Sequence, residues 1–321
     1  MNIATVIVTY NRLNKLRTCI EKTLEENIDK CVIVNNGSTD GSREFLESLK
    51  DERLHLINLP KNIGGAGGFH EGLKLVANFK DIDWIVCYDD DAYPDQGVID
   101  KFKSFIKYAD FNELGSVASA VYLPDGRISE MNRPSYNPFW HLGKFLKTIV
   151  KGREGFHVPY ETYSSNQTIF VDASSFVGFF LKKEIIKHVG LPPKEFFLYG
   201  DDITYILRIR KAGFKHLFNP SLKFFHDCET LYDNKQIYNP MWKAYYTYRN
   251  GIQMYKEAAG GIALFLILPI KAYSWLRKSK YYDKPSLYRK LVFDAIYDGI
   301  FSKFDKSHEM ILSKYGGEKM G

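Results

Sequence analysis

"WIVCYDDDAYP", residues Trp84–Pro94, sets five largely apolar residues directly before three carboxylates, Asp89, Asp90 and Asp91. Ile85, Val86 and Cys87 read as a buried strand, so the charges stand where that strand ends. In extended backbone alternate side chains share a face, which groups Asp89 with Asp91 and turns Asp90 away. Two carboxylates on one face repel unless a proton or a cation lies between them. A hard divalent cation such as Mn²⁺ or Mg²⁺ takes oxygen ligands of this kind and commonly shares them with substrate phosphates. A solvated turn whose acids cap the helix after Pro94 is the other reading of the same residues.

The residues before this stretch repeat its plan. "IATVIV", "CVIVN" and "LHLINL" are short β-branched runs, and amphipathic stretches near 12–26, 40–50, 66–79 and 95–109 lie between or after the runs. This alternation predicts an α/β fold on a doubly wound, mostly parallel sheet, with ligands at the carboxyl ends of the strands. Polar motifs stand at those ends: "TYNR" (Thr9, Tyr10, Asn11, Arg12), "NNGSTDGS" with Asn36, "PKNIGGAGGF" with Asn62, and "DDDAYPD". The Asn pair and the turn after it form a polar collar suited to a base or ribose. The third motif has four glycines in five positions, Gly64, Gly65, Gly67 and Gly68. They admit close backbone approach to phosphate or sugar oxygens, or serve tight helix–sheet packing. The spacing excludes a dinucleotide fingerprint, since His70 falls where the last glycine belongs, and no Gly-Lys-Ser/Thr follows to make a P-loop.

Residues 115–230 are less regular, with strand-like "GSVASAVY", "TIFVD" and "FVGFFL" and a loop rich in aromatic and basic residues between about 127 and 165. "FFLYGDD" then leads into a helical pattern that Gly213 ends. Asp201 is expected as that helix's N-cap, and Asp202, a second acid beyond capping needs, is a candidate general base. His226 in "FFHDCE" is either a third metal ligand or a structurally satisfied histidine.

The chain has 321 residues, 45% of them hydrophobic, enough for one large domain or a domain with an appendage. Its net charge of +6 is spread too widely for a nucleic-acid surface. Four cysteines without a CxxC pair fit a reducing compartment. "MNIATVIVTYNR" lacks a basic region before its apolar run, so a first strand is expected there and not a signal peptide. From about 240 the character changes to helical and aromatic. The apolar core Ile262–Leu268 is far shorter than the roughly twenty residues of a membrane span, and Pro269 interrupts the run. Seven Lys or Arg residues against one acid, Asp283, follow between Lys271 and Lys290. This pairing suits a helix lying in an anionic membrane surface, or a packed helix with a solvated basic face.

Taken in order, "VIVTYNR", "VNNGSTDGS", "NIGGAGGF", "YDDD" and "FFLYGDD…LRIRKAGF" resemble the inverting GT-A glycosyltransferase family that includes cellulose and chitin synthases. The glycine-rich motif and triple Asp look most like galactofuranosyltransferases, with rhamnosyltransferases as near relatives. The resemblance implies a nucleotide-sugar-binding catalytic domain over residues 1–230 and a helical, membrane-associating region over 231–321. It implies that Thr9, Tyr10, Asn11 and Arg12 line the nucleotide pocket, with Asn36 where many members have an Asp facing the base or ribose. Asn62, Gly64, Gly65, Gly68, Asp89 and Asp90 are carried over as donor-binding residues. Asp89, Asp91 and His226 correspond to metal ligands for Mn²⁺ or Mg²⁺, and Asp202 to the catalytic base, with Asp201 in place of a more usual Glu.

The implied reaction moves galactofuranose from UDP-galactofuranose to a hydroxyl of a lipid-linked glycan during cell-surface polysaccharide synthesis. The expected location is the cytoplasmic face of the cell membrane, held peripherally. Rival readings are a rhamnosyltransferase using dTDP-rhamnose, a sugar nucleotidyltransferase, or a non-catalytic sugar-nucleotide-binding protein. The usual basic, glycine-rich nucleotidyltransferase signature is missing from "TYNR".

Overall fold

The computed structural model describes residues 1–108, 113–228 and 237–316. In chain order the elements are β1 (Ile3–Thr9), α1 (Leu13–Leu24), β2 (Lys30–Asn35), α2 (Ser42–Ser48), β3 (Leu54–Asn58) and α3 (Gly64–Ala77). Next come β4 (Trp84–Asp89), β5 (Ala92–Pro94), α4 (Val98–Tyr108), β6 (Leu114–Tyr122), α5 (Leu142–Lys151) and α6 (Tyr160–Tyr163). The sheet-bearing part ends with β7 (Ile169–Val171), β8 (Phe179–Lys182), α7 (Ile185–Val189), α8 (Asp201–Lys211) and β9 (Lys215–His226). A helical bundle follows: α9 (Trp242–Ala259), α10 (Gly261–Arg277), α11 (Pro285–Ile300) and α12 (His308–Tyr315).

The sheet runs β3-β2-β1-β4-β8-β6-β9-β5, with β7 on β9. β1 is buried along its whole length because both of its faces are covered, which is why it reads as a continuous apolar run. The pairs β3-β2, β2-β1 and β1-β4 are parallel, whereas β8 enters antiparallel between β4 and β6. The expected α/β sheet is therefore present, parallel in its first half and mixed in its second. Leu16, Cys19, Ile20 and Thr23 recur at helical spacing and turn α1 onto one face, joined by Phe102 of α4. Phe69, Leu73 and Val76 of α3, with Tyr205, Ile206 and Ile209 of α8, cover the other.

Register brings the strand ends together: Thr9 lies opposite Asn35, Asn35 opposite Asn58, and Val8 opposite Asp89. The polar motifs consequently share one rim of the sheet. The strand at Trp84 stops at Asp89, and Asp90 and Asp91 form the turn into β5. Asp89 and Asp91 thus approach across a tight turn and not by strand alternation, a correction to the sequence reading that leaves their pairing intact.

Two further expectations change. Asp201 is not the N-cap of α8: Gly200 holds that position at φ 80, and Asp201 opens the helix proper. The loop expected between about 127 and 165 is partly helical. Buried Arg133 organises it, donating to Glu130, Glu154 and the Val158 carbonyl and lying 4.0 Å from the Tyr160 ring.

The C-terminal helices close their own core around Tyr245, Tyr248, Trp275, Tyr288 and Leu291. Pro269 lies within α10 without ending it. Among the described residues no helix is long and apolar enough to cross a membrane. The boundary expected at 230/231 falls among residues 229–236, outside the described residues.

Candidate active site

β5 pairs antiparallel with β9 so that Ala92 faces His226, and this sets Asp91 beside the imidazole. Asp89, Asp91 and His226 each present one ligand atom within 4.8 Å of the others. His226 Nε2 is 3.2 Å from Asp91 Oδ1, and Nδ1 is 2.8 Å from Asn132 Oδ1. An amide oxygen on Nδ1 orients the ring and leaves Nε2 toward the carboxylates, the usual arrangement behind a ligating histidine. Two carboxylate oxygens and one imidazole nitrogen fit a divalent cation.

Burial raises Asp89 to about 7, reinforced by Asp91 and opposed by His226 and Arg12. Asp90 rises to about 6, chiefly through burial, against the pull of Arg12 and Thr9. Burial acts against Asp91's charge too, yet the His226 hydrogen bond and charge, with Arg12, hold it below the usual carboxylate range. His226 is driven the opposite way: despite burial, its hydrogen bond to Asp91 and the acids around it push it up to about 10. The Arg12 guanidinium lies 3.3 Å from Asp90 and also meets Asp91. The protein therefore supplies two cations of its own against the three acids.

Phe197, Tyr199 and Gly200 adopt left-handed backbone at φ 63, 70 and 80 just before the second acid pair. Such conformations cost energy for non-glycine residues and need outside support. Buried Asn250 of α9 provides it, its amide lying 3.0, 2.8 and 2.9 Å from the carbonyls of Phe196, Leu198 and Tyr199. Arg249 adds bonds to the Glu195 and Phe196 carbonyls and to Asn250 Oδ1. Asp201 is buried and raised well above the usual range by that burial, then by Asp202 and by Asp89. Asp89 thus contributes to the field at Asp201, though less than Asp202 does. Asp202 rises to about 6 through burial, while the Ile203 N–H, 2.7 Å from Oδ1, favours its ionised form.

The residues expected to line a nucleotide pocket divide by geometry. Thr9 is buried with its hydroxyl on Asp90 at 2.7 Å, and the Tyr10 N–H reaches the same carboxylate at 3.3 Å. Tyr10 is 43% exposed at the rim. Asn11 holds the 38–39 turn, accepting from the Thr39 N–H while its own N–H donates to Ser38.

Asn36 departs from its expected base-facing role. It is buried, with its amide spent on Asn62 Oδ1, the Gly64 carbonyl and the Ile63 N–H. The glycines change too, because α3 starts at Gly64 and they line its first turns. A Cβ on Gly68 would lie 2.4 Å from Val8 Cγ1, and one on Gly64 2.0 Å from the Phe197 carbonyl oxygen. Both are packing glycines. Gly65 alone of the three assigned positions has open space above it. A broad surface depression of about 1060 Å³, lined by Lys101, Tyr108, Tyr163 and Lys223 among others, contains none of the expected site residues.

Sequence reasoning missed Asn132, Arg249 and Asn250. The one available signal was the polar Arg-Asn pair inside the aromatic run "AYYTYRNGI".

Sheet, rim and paired acid clusters define the GT-A class of glycosyltransferases. The profile of glycosyl transferase family 2 matches residues 5–171, and the chain belongs to that family. The galactofuranosyltransferase GlfT1 of Mycolicibacterium smegmatis is 23% identical over 231 residues, 71% of this chain and 72% of that one. The crystal structure of S. aureus TarS 1–349 in complex with UDP-GlcNAc is similar at TM-score 0.56 and 11% identity, over 98% of this chain and 84% of that one. GalNAc-T7 with UDP, GalNAc and Mn²⁺ has TM-score 0.56 at 12% identity, over 98% of this chain and 58% of the other. At such identities the structural likeness carries the fold alone.

Proposed function

We propose that this glycosyltransferase is metal-dependent and inverting, and that it moves galactofuranose from UDP-galactofuranose to a hydroxyl of a lipid-linked glycan in cell-surface polysaccharide synthesis. The observation that carries the reading is the Asp89–Asp91–His226 cluster standing in electrostatic reach of the acid pair that opens α8. The GlfT1 relative supports the donor, and the UDP and Mn²⁺ complexes of structural neighbours support a metal-held nucleotide.

Asp89, Asp91 and His226 would hold Mn²⁺ or Mg²⁺, with the imidazole favouring Mn²⁺. An ion held there would supply positive charge to offset that on the departing UDP. Thr9, Tyr10, Asn11 and Arg12 border the nucleotide, with Arg12 free to meet a phosphate once Asp91 is otherwise engaged. Gly65 admits the donor closely, whereas Asn36, Asn62, Gly64 and Gly68 shape the rim and position it. Asp90 fixes Thr9 and Tyr10. Asp202 takes the acceptor hydroxyl's proton as that oxygen attacks the anomeric carbon from the face opposite UDP, so configuration inverts in one displacement. Asp201, whose burial beside Asp202 disfavours its charged form, limits the negative charge next to that base.

The 1–230 catalytic and 231–321 helical division is retained as part of this reading. Ile262, Phe265, Leu266, Ile270 and Tyr273 form one exposed stripe on α10 beside the basic 271–290 stretch, which supports peripheral attachment to an anionic membrane face.

The test is a donor panel of UDP-galactofuranose, UDP-galactopyranose and dTDP-rhamnose with a lipid-linked acceptor, read by mass spectrometry. Transfer of a hexose from the first is expected. Preference for dTDP-rhamnose would overturn the donor assignment, and pyrophosphate release from a nucleoside triphosphate would overturn transfer itself.

A further inference from the structure

We propose that α5 is a second in-plane membrane helix which, with α10, seats the protein on the anionic surface of a bilayer. The proposal builds on the peripheral reading of α10 and adds a surface which that reading does not contain.

None of the ten residues of α5 is buried. Leu142, Phe145, Leu146, Ile149 and Val150 follow the i, i+3, i+4, i+7, i+8 pattern of a single face. Leu142 is 75% exposed, Leu146 55%, Ile149 68% and Val150 82%. So short a helix is marginal in water without a packed face, and this one turns its face outward.

The charge around that face selects its partner. Lys144, Lys147 and Lys151 lie on the opposite, polar side of the helix by its spacing, Arg153 follows it, and no acid occurs from Trp140 to Arg153. Anionic headgroups complement the cations while acyl chains take the apolar stripe. Trp140, 37% exposed just ahead of the helix, suits the interfacial layer between them.

Placement makes the two helices cooperate. Buried Asn137, on the segment entering α5, donates from Nδ2 to the Ala258 carbonyl at 2.8 Å. Ala258 lies at the end of α9, and α10 begins at Gly261. Both exposed helices therefore leave one junction, and a bilayer that receives α10 lies near the start of α5.

The experiment is co-sedimentation of the full-length protein with phosphatidylglycerol-containing and pure phosphatidylcholine vesicles, with thermal melting as a fold check. The variants are Leu146→Glu/Ile149→Glu in α5 and Phe265→Glu/Ile270→Glu in α10. Each pair is expected to lower partitioning to anionic vesicles at least about tenfold, given the worth of two buried aliphatic side chains. Quenching of tryptophan emission by brominated acyl chains should weaken in Trp140→Phe. Wild-type partitioning by the α5 variant beside lost partitioning by the α10 variant would overturn the α5 proposal and leave the α10 reading standing. If the wild type binds neither vesicle, both fall. A dimer in solution that the α5 variant dissolves, with vesicle binding unchanged, would assign the face to a second copy instead.

Discussion

Asp202 combines a fixed position with ionisation just below neutrality. Its carboxyl is pushed up to about 6, so it is mainly a carboxylate at pH 7 and still basic enough to accept a proton. Turnover should fall as pH drops through about 6, because a carboxyl that already holds its proton is too weak a base to take another from the acceptor hydroxyl. Asp202→Asn should lower kcat by about 10²–10⁴-fold with UDP affinity retained by calorimetry. Lost UDP affinity would instead make Asp202 a binding residue. The proposed metal ligands have a pH signature of their own. Asp89 sits at about 7 and His226 at about 10, so both bind protons that a cation must displace. Mn²⁺ affinity should therefore rise between pH 6 and 8 with net proton release, measurable by calorimetry in buffers of different ionisation enthalpy. Asp91→Ala should abolish the metal response, and full activity in excess EDTA would remove the metal from the reaction.

α3 shows how one motif divides its labour. Gly68 faces β1, where an added methyl meets Val8 at 2.4 Å, so Gly68→Ala should cost about 1–3 kcal/mol in denaturant unfolding. Gly65 faces open space, and Gly65→Ala should leave stability unchanged or slightly higher. The same Gly65 substitution should weaken UDP binding. Equal UDP affinity in Gly65→Ala and wild type would mean that the donor does not pass over this turn. The motif's composition announced a close approach without saying to what. Periodicity could not resolve it, since a glycine packed on a strand and a glycine under a phosphate have the same side chain.

At the scale of the whole molecule, the C-terminal bundle braces the turn that carries the second acid pair. α9 is remote in sequence from the "FFLYGDD" turn, yet Asn250 satisfies three of its carbonyls and holds backbone that would otherwise relax. Asn250→Ala should lower kcat far more than it changes the donor's KM and should move the acid limb of the pH profile, as Asp202 loses its set environment. An equal fall in kcat/KM for every substrate with an unmoved pH profile would reduce Asn250 to general stability. Much of the architecture was legible in the chain. β-branched runs such as Ile3–Val8 must be buried on both faces, and their alternation with amphipathic stretches leaves a parallel sheet whose polar motifs gather at one rim. The grouping of Asp89, Asp91 and His226 was legible because all three stand at the ends of apolar runs that such a sheet gathers at one rim. Tertiary structure alone decided the rest. Whether Asn36 faces a ligand or spends its amide on the neighbouring loop, which glycine packs and which stays open, and which distant side chain supports the acid pair all depend on contacts between residues far apart in sequence. Local pattern records which face of an element is buried, but hydrogen-bond partners and steric gaps exist only once the elements have been brought against one another.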